Sequence, residues 1–288
     1  MAQLTHFLYT HDMNRAQRGS HVLMIVIIAA VIAIIVALAL LFISRLTDSS
    51  EKDGTLSQSS ESHKFIWQQG PNGWQATSKA PECPAQPMLK APTDLSKVTS
   101  VLYPGQVRGT TSYKPHGGLR FDNSTDNKVT VSSPIDGYII NGVRHIADGG
   151  TEVQYGFSIM NNCGVAVVIG HLRELAPDLQ KIADTFPEPT ENSATHNVSP
   201  PVYVEQGEVL ATKVGILSDH NTFFDWGVFD YRQTNEASKS VAYQNAHSNS
   251  KDTTWYAVCW LQDGWLPGND QTKLAALPSG DKTSDYCK

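Results

Sequence analysis

Hydrophobic positions divide this chain into one continuous apolar segment and a long region of short apolar runs. Residues 22–43 are apolar without interruption. From Val98 onward, runs of Val, Ile, Leu and Tyr alternate with Gly, Asn and Asp. Short apolar runs between such turn residues are typical of antiparallel β-sheets. The pattern therefore predicts a mainly β, antiparallel domain that follows one apolar helix.

The apolar segment predicts a transmembrane helix over residues 22–44. As a helix, residues 22–43 would be about 33 Å long, enough to cross a bilayer core of about 30 Å. The alternative is a cleavable signal peptide, but its apolar region is shorter, about 7–15 residues. No clean cleavage site follows Ser44 either. We therefore predict a cytoplasmic tail over residues 1–21 and a single-pass anchor.

Charges beside this segment are nearly balanced, so the cysteines decide the predicted orientation. Two basic residues precede the segment closely and two follow it. All four cysteines come after it, and an even number suits an oxidising compartment. Three pairings are open. We favour the one that ties down the C-terminal tail, namely Cys259 with Cys287 and Cys83 with Cys163. An extracellular or periplasmic location of the region after the helix is the resulting prediction.

Composition divides the rest of the chain into four parts. Residues 45–64 are polar and predict a flexible stalk. Residues 65–97 contain a Pro-Asn-Gly turn signal and predict an N-terminal hairpin extension. Residues 98–235 form the predicted main domain, with a helix starting at Pro177 and a long surface loop over residues 185–201. Residues 236–288 form a C-terminal extension with a disulfide. The net charge of −6 argues against binding to nucleic acid.

Three local motifs carry the candidate chemistry. The first runs from His116 through two glycines to Arg120, and the second is an apolar strand that ends at His171. The third is a Gly-rich turn that leads to Phe223-Phe-Asp225-Trp. Together, over roughly Val98 to Arg232, they resemble the lysostaphin-type (LytM-like, β-lytic) zinc metalloendopeptidases and their duplicated-hybrid-motif fold.

The resemblance implies a zinc ion held by His, Asp and His, with two further histidines that assist catalysis. His116 matches a ligand and His171 matches a catalytic histidine. Arg120 stands where the ligand Asp belongs, Phe223 where the second catalytic His belongs, and Asp225 where the last ligand His belongs. Two of three ligands and one catalytic group have thus changed, and an arginine does not bind metal.

The replacements suggest three local arrangements. The favoured hypothesis is an ion pair of Arg120 with Asp225 in place of zinc, which would require no cofactor. In the second, Arg120 points to solvent. In the third, zinc is retained by His116, Asp225 and His171, with His220 as a further candidate.

Three functions follow from these arrangements. The favoured one is a membrane-anchored, catalytically inactive peptidase-like domain that binds cell-wall peptidoglycan, a peptide or a partner protein and regulates cell-wall hydrolysis. The alternatives are an active zinc metalloendopeptidase that cleaves peptidoglycan cross-bridges, and a structural or adhesive surface protein.

Overall fold

The computed structural model describes residues 64–71, 73–147, 150–262, 264–280 and 282–288. The predicted cytoplasmic tail, the predicted transmembrane helix and all but the last residue of the predicted stalk lie outside these residues. Within the described part, no helix is long and apolar enough to cross a membrane.

Antiparallel strands dominate the described residues, which confirms the predicted mainly β class. The strands are β1 (Trp67–Gly70), β2 (Gly73–Ala76), β3 (Ser100–Leu102), β4 (Gln106–Arg108), β5 (Ser112–Lys114), β6 (Gly117–Arg120), β7 (Lys128–Ser132), β8 (Gly137–Ile146), β9 (Val153–Met160), β10 (Val165–Leu172), β11 (Thr195–Val204), β12 (Val209–Lys213) and β13 (Phe223–Asp230).

Seven of these strands form the main sheet, in the order β11-β8-β9-β10-β13-β6-β3. Three two-stranded sheets accompany it: β1 with β2, β4 with β5, and β7 with β12. The central strand β10 begins Val-Ala-Val-Val-Ile, a continuous apolar run that suits a strand covered on both faces. The pairing of β1 with β2 confirms the hairpin predicted from the Pro-Asn-Gly turn.

The predicted surface loop over residues 185–201 is wrong in its second half. Residues Thr195–Val204 form β11, which pairs with β8 at the edge of the main sheet. Its register shifts between Asn197 and Val202, around the two prolines. Prolines are tolerated in edge strands because one side of such a strand makes no ladder hydrogen bonds. A loop-like composition therefore concealed an edge strand.

Helices are few and mostly follow the main sheet. They are α1 (Pro177–Ala183), α2 (Val241–Ala246), α3 (Lys251–Thr254) and α4 (Gly268–Ala276). The start of α1 at Pro177 is as predicted, because proline lacks the N–H that would be unpaired in a first helical turn. Leu179, Ile182 and Ala183 are its buried residues.

Both faces of β13 are covered, and this decides where its polar residue lies. Phe224, Trp226 and Val228 belong to the largest buried cluster, in which Trp226 stacks on Trp260 at 4.2 Å between ring centroids. Phe229 belongs to a separate cluster that includes Tyr286 of the C-terminal region. Because side chains alternate along a strand, Asp225 lies on the same face as Phe229.

Two disulfides join distant parts of the fold, and both were predicted. Cys83 is bonded to Cys163 at the turn between β9 and β10, and Cys259 is bonded to Cys287 near the C-terminus. The first ties the N-terminal region to the main sheet. The second ties the last residues to the segment that follows α3.

Candidate functional site

Asp225 lies near the start of β13, between β6 and β10. It pairs in register with Gly118 of β6 and with Gly170 of β10. A Cβ atom on Gly118 would lie 2.8 Å from the Phe224 carbonyl oxygen and 3.5 Å from Asp225 Oδ1, so only glycine fits at this position. The two glycines leave space for a carboxylate on an otherwise closely packed sheet.

Three cationic or imidazole groups surround the Asp225 carboxylate. His116 Nε2 lies 3.0 Å from Oδ2, and His171 Nε2 lies 3.3 Å from the same oxygen. Arg108 Nη1 lies 3.5 Å from Oδ1. The carboxylate side chain is only 16% exposed, so these contacts are partly shielded from water.

The charges around Asp225 determine its protonation state. Burial raises the pKa of this carboxyl group, but the attraction and hydrogen bonding of His116 and His171 outweigh that effect. The pKa is therefore held well below its ordinary value, and Asp225 is ionised at neutral pH.

His171 reaches this face through an irregularity in β10. The pairing of β10 with β9 shifts register between Ile169 and Leu172, and His171 itself has φ of 60°. This left-handed conformation is unfavourable for most side chains, and such outliers occur at functional sites. The bulge brings the imidazole beside Asp225, although alternation along a regular strand would place residue 171 on the face opposite to residue 170.

Gln154 of β9 orients the His171 ring. His171 Nδ1 lies 2.6 Å from Gln154 Oε1, and Gln154 Nε2 donates to the Gly215 carbonyl oxygen at 2.9 Å. Because the amide nitrogen is engaged as a donor, the amide oxygen accepts the proton on Nδ1. The other ring nitrogen, Nε2, faces Asp225.

Arg108 is held in place by backbone carbonyls and by the hairpin of β4 and β5. Its Nη2 donates to the carbonyl oxygens of His116 at 2.8 Å and Tyr103 at 3.2 Å. Burial lowers the pKa of the Arg108 guanidinium, and the charge of Asp225 offsets part of that shift. An arginine remains protonated under all ordinary conditions, so it supplies a permanent positive charge here.

The C-terminal residues support this hairpin. Tyr286 donates its hydroxyl to the Pro115 carbonyl oxygen at 2.6 Å, beside His116, and Ser284 donates to the Pro104 carbonyl oxygen at 2.7 Å. The Cys259–Cys287 disulfide fixes the chain directly after Tyr286. The tail therefore positions both Arg108 and His116.

The favoured hypothesis of an Arg120–Asp225 ion pair is wrong. Arg120 Nη2 pairs with Asp122 Oδ1 at 3.2 Å, and its side chain is 35% exposed. The register explains the difference, because Arg120 lies opposite Phe223, two residues away from Gly118, which faces Asp225. The guanidinium that contacts Asp225 belongs to Arg108 instead.

Two other residues of the motifs lie close to this cluster or on the neighbouring loop. The Phe223 ring, at the position expected for a catalytic histidine, packs 4.4 Å from the His171 ring. His220 is exposed, in the loop between β12 and β13, and has φ of 49°. Thus His116, His171, Phe223 and Asp225 lie together in the structure.

The donor atoms have suitable chemistry for zinc, since imidazole nitrogens and carboxylate oxygens are common zinc ligands. However, among the described residues no group of three His, Cys, Asp or Glu side chains is arranged to hold a metal ion. The guanidinium of Arg108 also lies where it would repel a divalent cation bound to Asp225. The arrangement as it stands does not fit a metal.

Sequence reasoning missed Arg108 and Gln154. Arg108 precedes the first motif by eight residues, in a segment that resembles no part of the family pattern. Gln154 is a polar residue in an apolar strand, and this is the one sequence signal that marks it. The structure shows that it is fully buried, and buried polar side chains are normally hydrogen-bonded.

Comparisons with known proteins identified no relative of this chain. No family model matches the chain, and neither the curated proteins nor the solved structures include a significant match.

Proposed function

We propose that this chain is a peptidase-like binding module without catalytic activity, in which Arg108 takes the place of a catalytic metal ion. The observation that carries the proposal is the contact of Arg108 with Asp225, beside His116 and His171. A permanent cation neutralises the carboxylate and needs no cofactor. The hypothesis that an arginine replaces the metal ion is therefore kept, with Arg108 in place of Arg120.

The loss of catalytic groups supports the same proposal. Phe223 stands where the resemblance implies a catalytic histidine, and a phenyl ring can neither accept nor donate a proton. His171 is the remaining candidate for acid–base catalysis. Its Nδ1 is engaged by Gln154 and its Nε2 faces Asp225, so both ring nitrogens already have neighbours in the protein.

The ligand of the module is a component of the cell envelope in this proposal: cell-wall peptidoglycan, a peptide or a partner protein. The resemblance to cell-wall peptidases supports that class of ligand, and regulation of cell-wall hydrolysis would be its purpose. The apolar segment over residues 22–44 would anchor the module to the membrane, with the disulfide-bonded region outside.

Two assays on the full-length chain test this proposal. The first is co-sedimentation with purified peptidoglycan, for which we expect retention that persists in the presence of a chelator. The second is digestion of peptidoglycan and of glycyl peptides, for which we expect no cleavage with or without added zinc. Absence of retention would remove the wall-binding form of the proposal, and cleavage would remove its non-catalytic part.

One observation favours the alternative of an active zinc metalloendopeptidase. His116 Nε2 and His171 Nε2 both lie close to Asp225 Oδ2, at 3.0 Å and 3.3 Å, so two imidazole nitrogens and a carboxylate oxygen meet at one point. These are common donor atoms for zinc. This alternative requires Arg108 to move away from Asp225. It predicts chelator-sensitive cleavage that is lost in both His116→Ala and His171→Ala.

A further inference from the structure

A second cavity lies at the other end of the central strands. Its volume is about 340 Å³, and it opens at the turn between β9 and β10, which contains Asn161 and Cys163. His171 lies at the opposite end of β10. The cavity therefore shares no residue with the site around Asp225, and an inference about it does not depend on the proposed function.

Two tyrosines form an aromatic corner in this cavity. Tyr138 of β8 and Tyr203 of β11 are direct cross-strand neighbours, with ring centroids 5.3 Å apart and ring planes at 68°. Tyr138 is 7% exposed, and its hydroxyl is buried without a hydrogen-bond partner. A buried hydroxyl normally has such a partner, and this one belongs to a residue that lines the cavity.

Negative charge acts on the aromatic corner. Asp136 lines the cavity, and the charges of Asp136 and Glu205 add to burial in raising the pKa of Tyr203. Glu208 acts on Tyr203 in the same direction. Among the described residues, none of these three carboxylates takes part in an ion pair. The Lys90 ammonium borders the neighbouring turn at Gly207.

The cavity walls are fixed by covalent and hydrogen bonds. The Cys83–Cys163 disulfide holds the β9–β10 turn. The backbone N–H of Gln206 donates to Asp136 Oδ1 at 2.7 Å, and Gln206 Nε2 donates to the Pro134 carbonyl oxygen at 2.8 Å. A preformed cavity is the usual form of a small-ligand site.

We propose that this cavity binds a primary alkylammonium group, such as the side chain of a lysine-type residue in a peptide. The tyrosine rings attract a cation, and Asp136 provides a carboxylate whose Oδ1 already accepts the backbone N–H of Gln206. The Tyr138 hydroxyl oxygen accepts a hydrogen bond from the ammonium group. The alkyl chain lies against Met88, which is 55% exposed at the cavity rim.

The test uses the methyl groups of the methionines in the full-length chain. Met88 lines the cavity and is exposed at its rim, so its methyl group reports on contact with a ligand. With ¹³C-methyl methionine, Nα-acetyl-lysine N-methylamide at millimolar concentration should shift the Met88 resonance. The norleucine analogue, which lacks only the ammonium group, should not.

Matched variants locate the interaction. Asp136→Asn keeps an oxygen for the Gln206 N–H but removes the charge, and should weaken binding about fivefold or more. Glu191→Gln removes an exposed charge elsewhere and should leave binding unchanged. Equal shifts by the lysine and norleucine compounds, no shift at all, or unaltered affinity in Asp136→Asn would each overturn the proposal.

Discussion

In the part of the chain that the structure describes, negative charge is compensated by neighbouring groups at one end of the central strands and not at the other. At one end, the single carboxylate of Asp225 is surrounded by His116, His171 and Arg108. At the other end, the charges of Asp136, Glu205 and Glu208 act on Tyr203, and Asp136 lines an open cavity. The first region is satisfied within the protein, whereas the second retains charge that a ligand could neutralise.

The difference shows that one fold can surround a carboxylate with its own cationic groups at one end and leave carboxylates without an ion pair to any described residue at the other. A buried carboxylate needs a nearby cation, and either a metal ion or a guanidinium can provide it. Where the protein supplies the guanidinium itself, the reason to bind a metal is weakened. Where no cation is supplied, a rigid cavity with aromatic walls favours a cationic ligand.

The largest effects should come from removing the disulfides, because each one holds one of these ends. In the chain-entropy treatment, loss of Cys259–Cys287 should lower the free energy of unfolding by about 3.5 kcal/mol, and loss of Cys83–Cys163 by about 4.5 kcal/mol. Denaturant titration of the two double Cys→Ser variants measures both values.

The two variants should also differ in where they perturb the fold. Loss of Cys259–Cys287 should alter the imidazole resonances of His116 while leaving the Met88 methyl resonance unchanged, since the tail supports the hairpin beside His116. Loss of Cys83–Cys163 should do the reverse. Identical perturbation patterns would show that the two ends are not independent.

Arg108→Met tests the end of the strands around Asp225, and it should have the next largest effect on stability. It would remove the permanent cation beside Asp225, and we expect a loss of about 3 kcal/mol in unfolding free energy. Arg120→Met is the matched control, because Arg120 pairs with an exposed Asp122 and such pairs contribute less than about 1 kcal/mol. Equal losses in thermal or chemical denaturation would contradict the assignment of Arg108 to Asp225.

Gln154→Leu should have a smaller effect, about 2 kcal/mol, because it leaves the Gly215 carbonyl and His171 Nδ1 without their partner. Nitrogen-15 spectra of the imidazole should show His171 protonated on Nδ1 in the parent chain and a changed tautomer population in the variant. Gln75→Leu, at an exposed position of β2, controls for the same substitution. An unchanged tautomer would show that Gln154 does not orient the ring.

Tyr138→Phe, at the end of the strands that contains the cavity, should have the smallest effect on stability. Its hydroxyl has no partner, so its removal should leave stability unchanged or raise it by up to about 1 kcal/mol. Tyr113→Phe is the matched comparison, because the Tyr113 hydroxyl lies 2.9 Å from the Tyr243 hydroxyl. That variant should lose about 1 kcal/mol. A loss of similar size in Tyr138→Phe would indicate that its hydroxyl is satisfied.

Local patterns predicted much of this fold because they depend on neighbours in sequence. Short apolar runs marked most strands, and Pro177 marked the start of α1. The disulfide pairs were anticipated as well. The first part of β11, residues 195–201, was missed because its prolines, serine and threonine resemble a loop, and only its position at the edge of the sheet makes such a composition acceptable.

The site was only partly predictable because its charges meet through long-range contacts. The motifs brought His116, His171 and Asp225 together. They could not indicate that the register places Arg120 toward Asp122, or that Arg108 arrives from a separate hairpin. The bulge at His171 also has no local signature in the sequence, since it depends on the pairing of β10 with β9.

The metal content of the full-length chain tests the central claim most directly. The protein would be purified without chelators, equilibrated with zinc and analysed by elemental mass spectrometry, alongside Arg108→Ala. If Arg108 supplies the positive charge at Asp225, the parent chain should retain far less than one zinc per chain. One tightly bound zinc per parent chain, lost in His116→Ala and His171→Ala, would contradict the account.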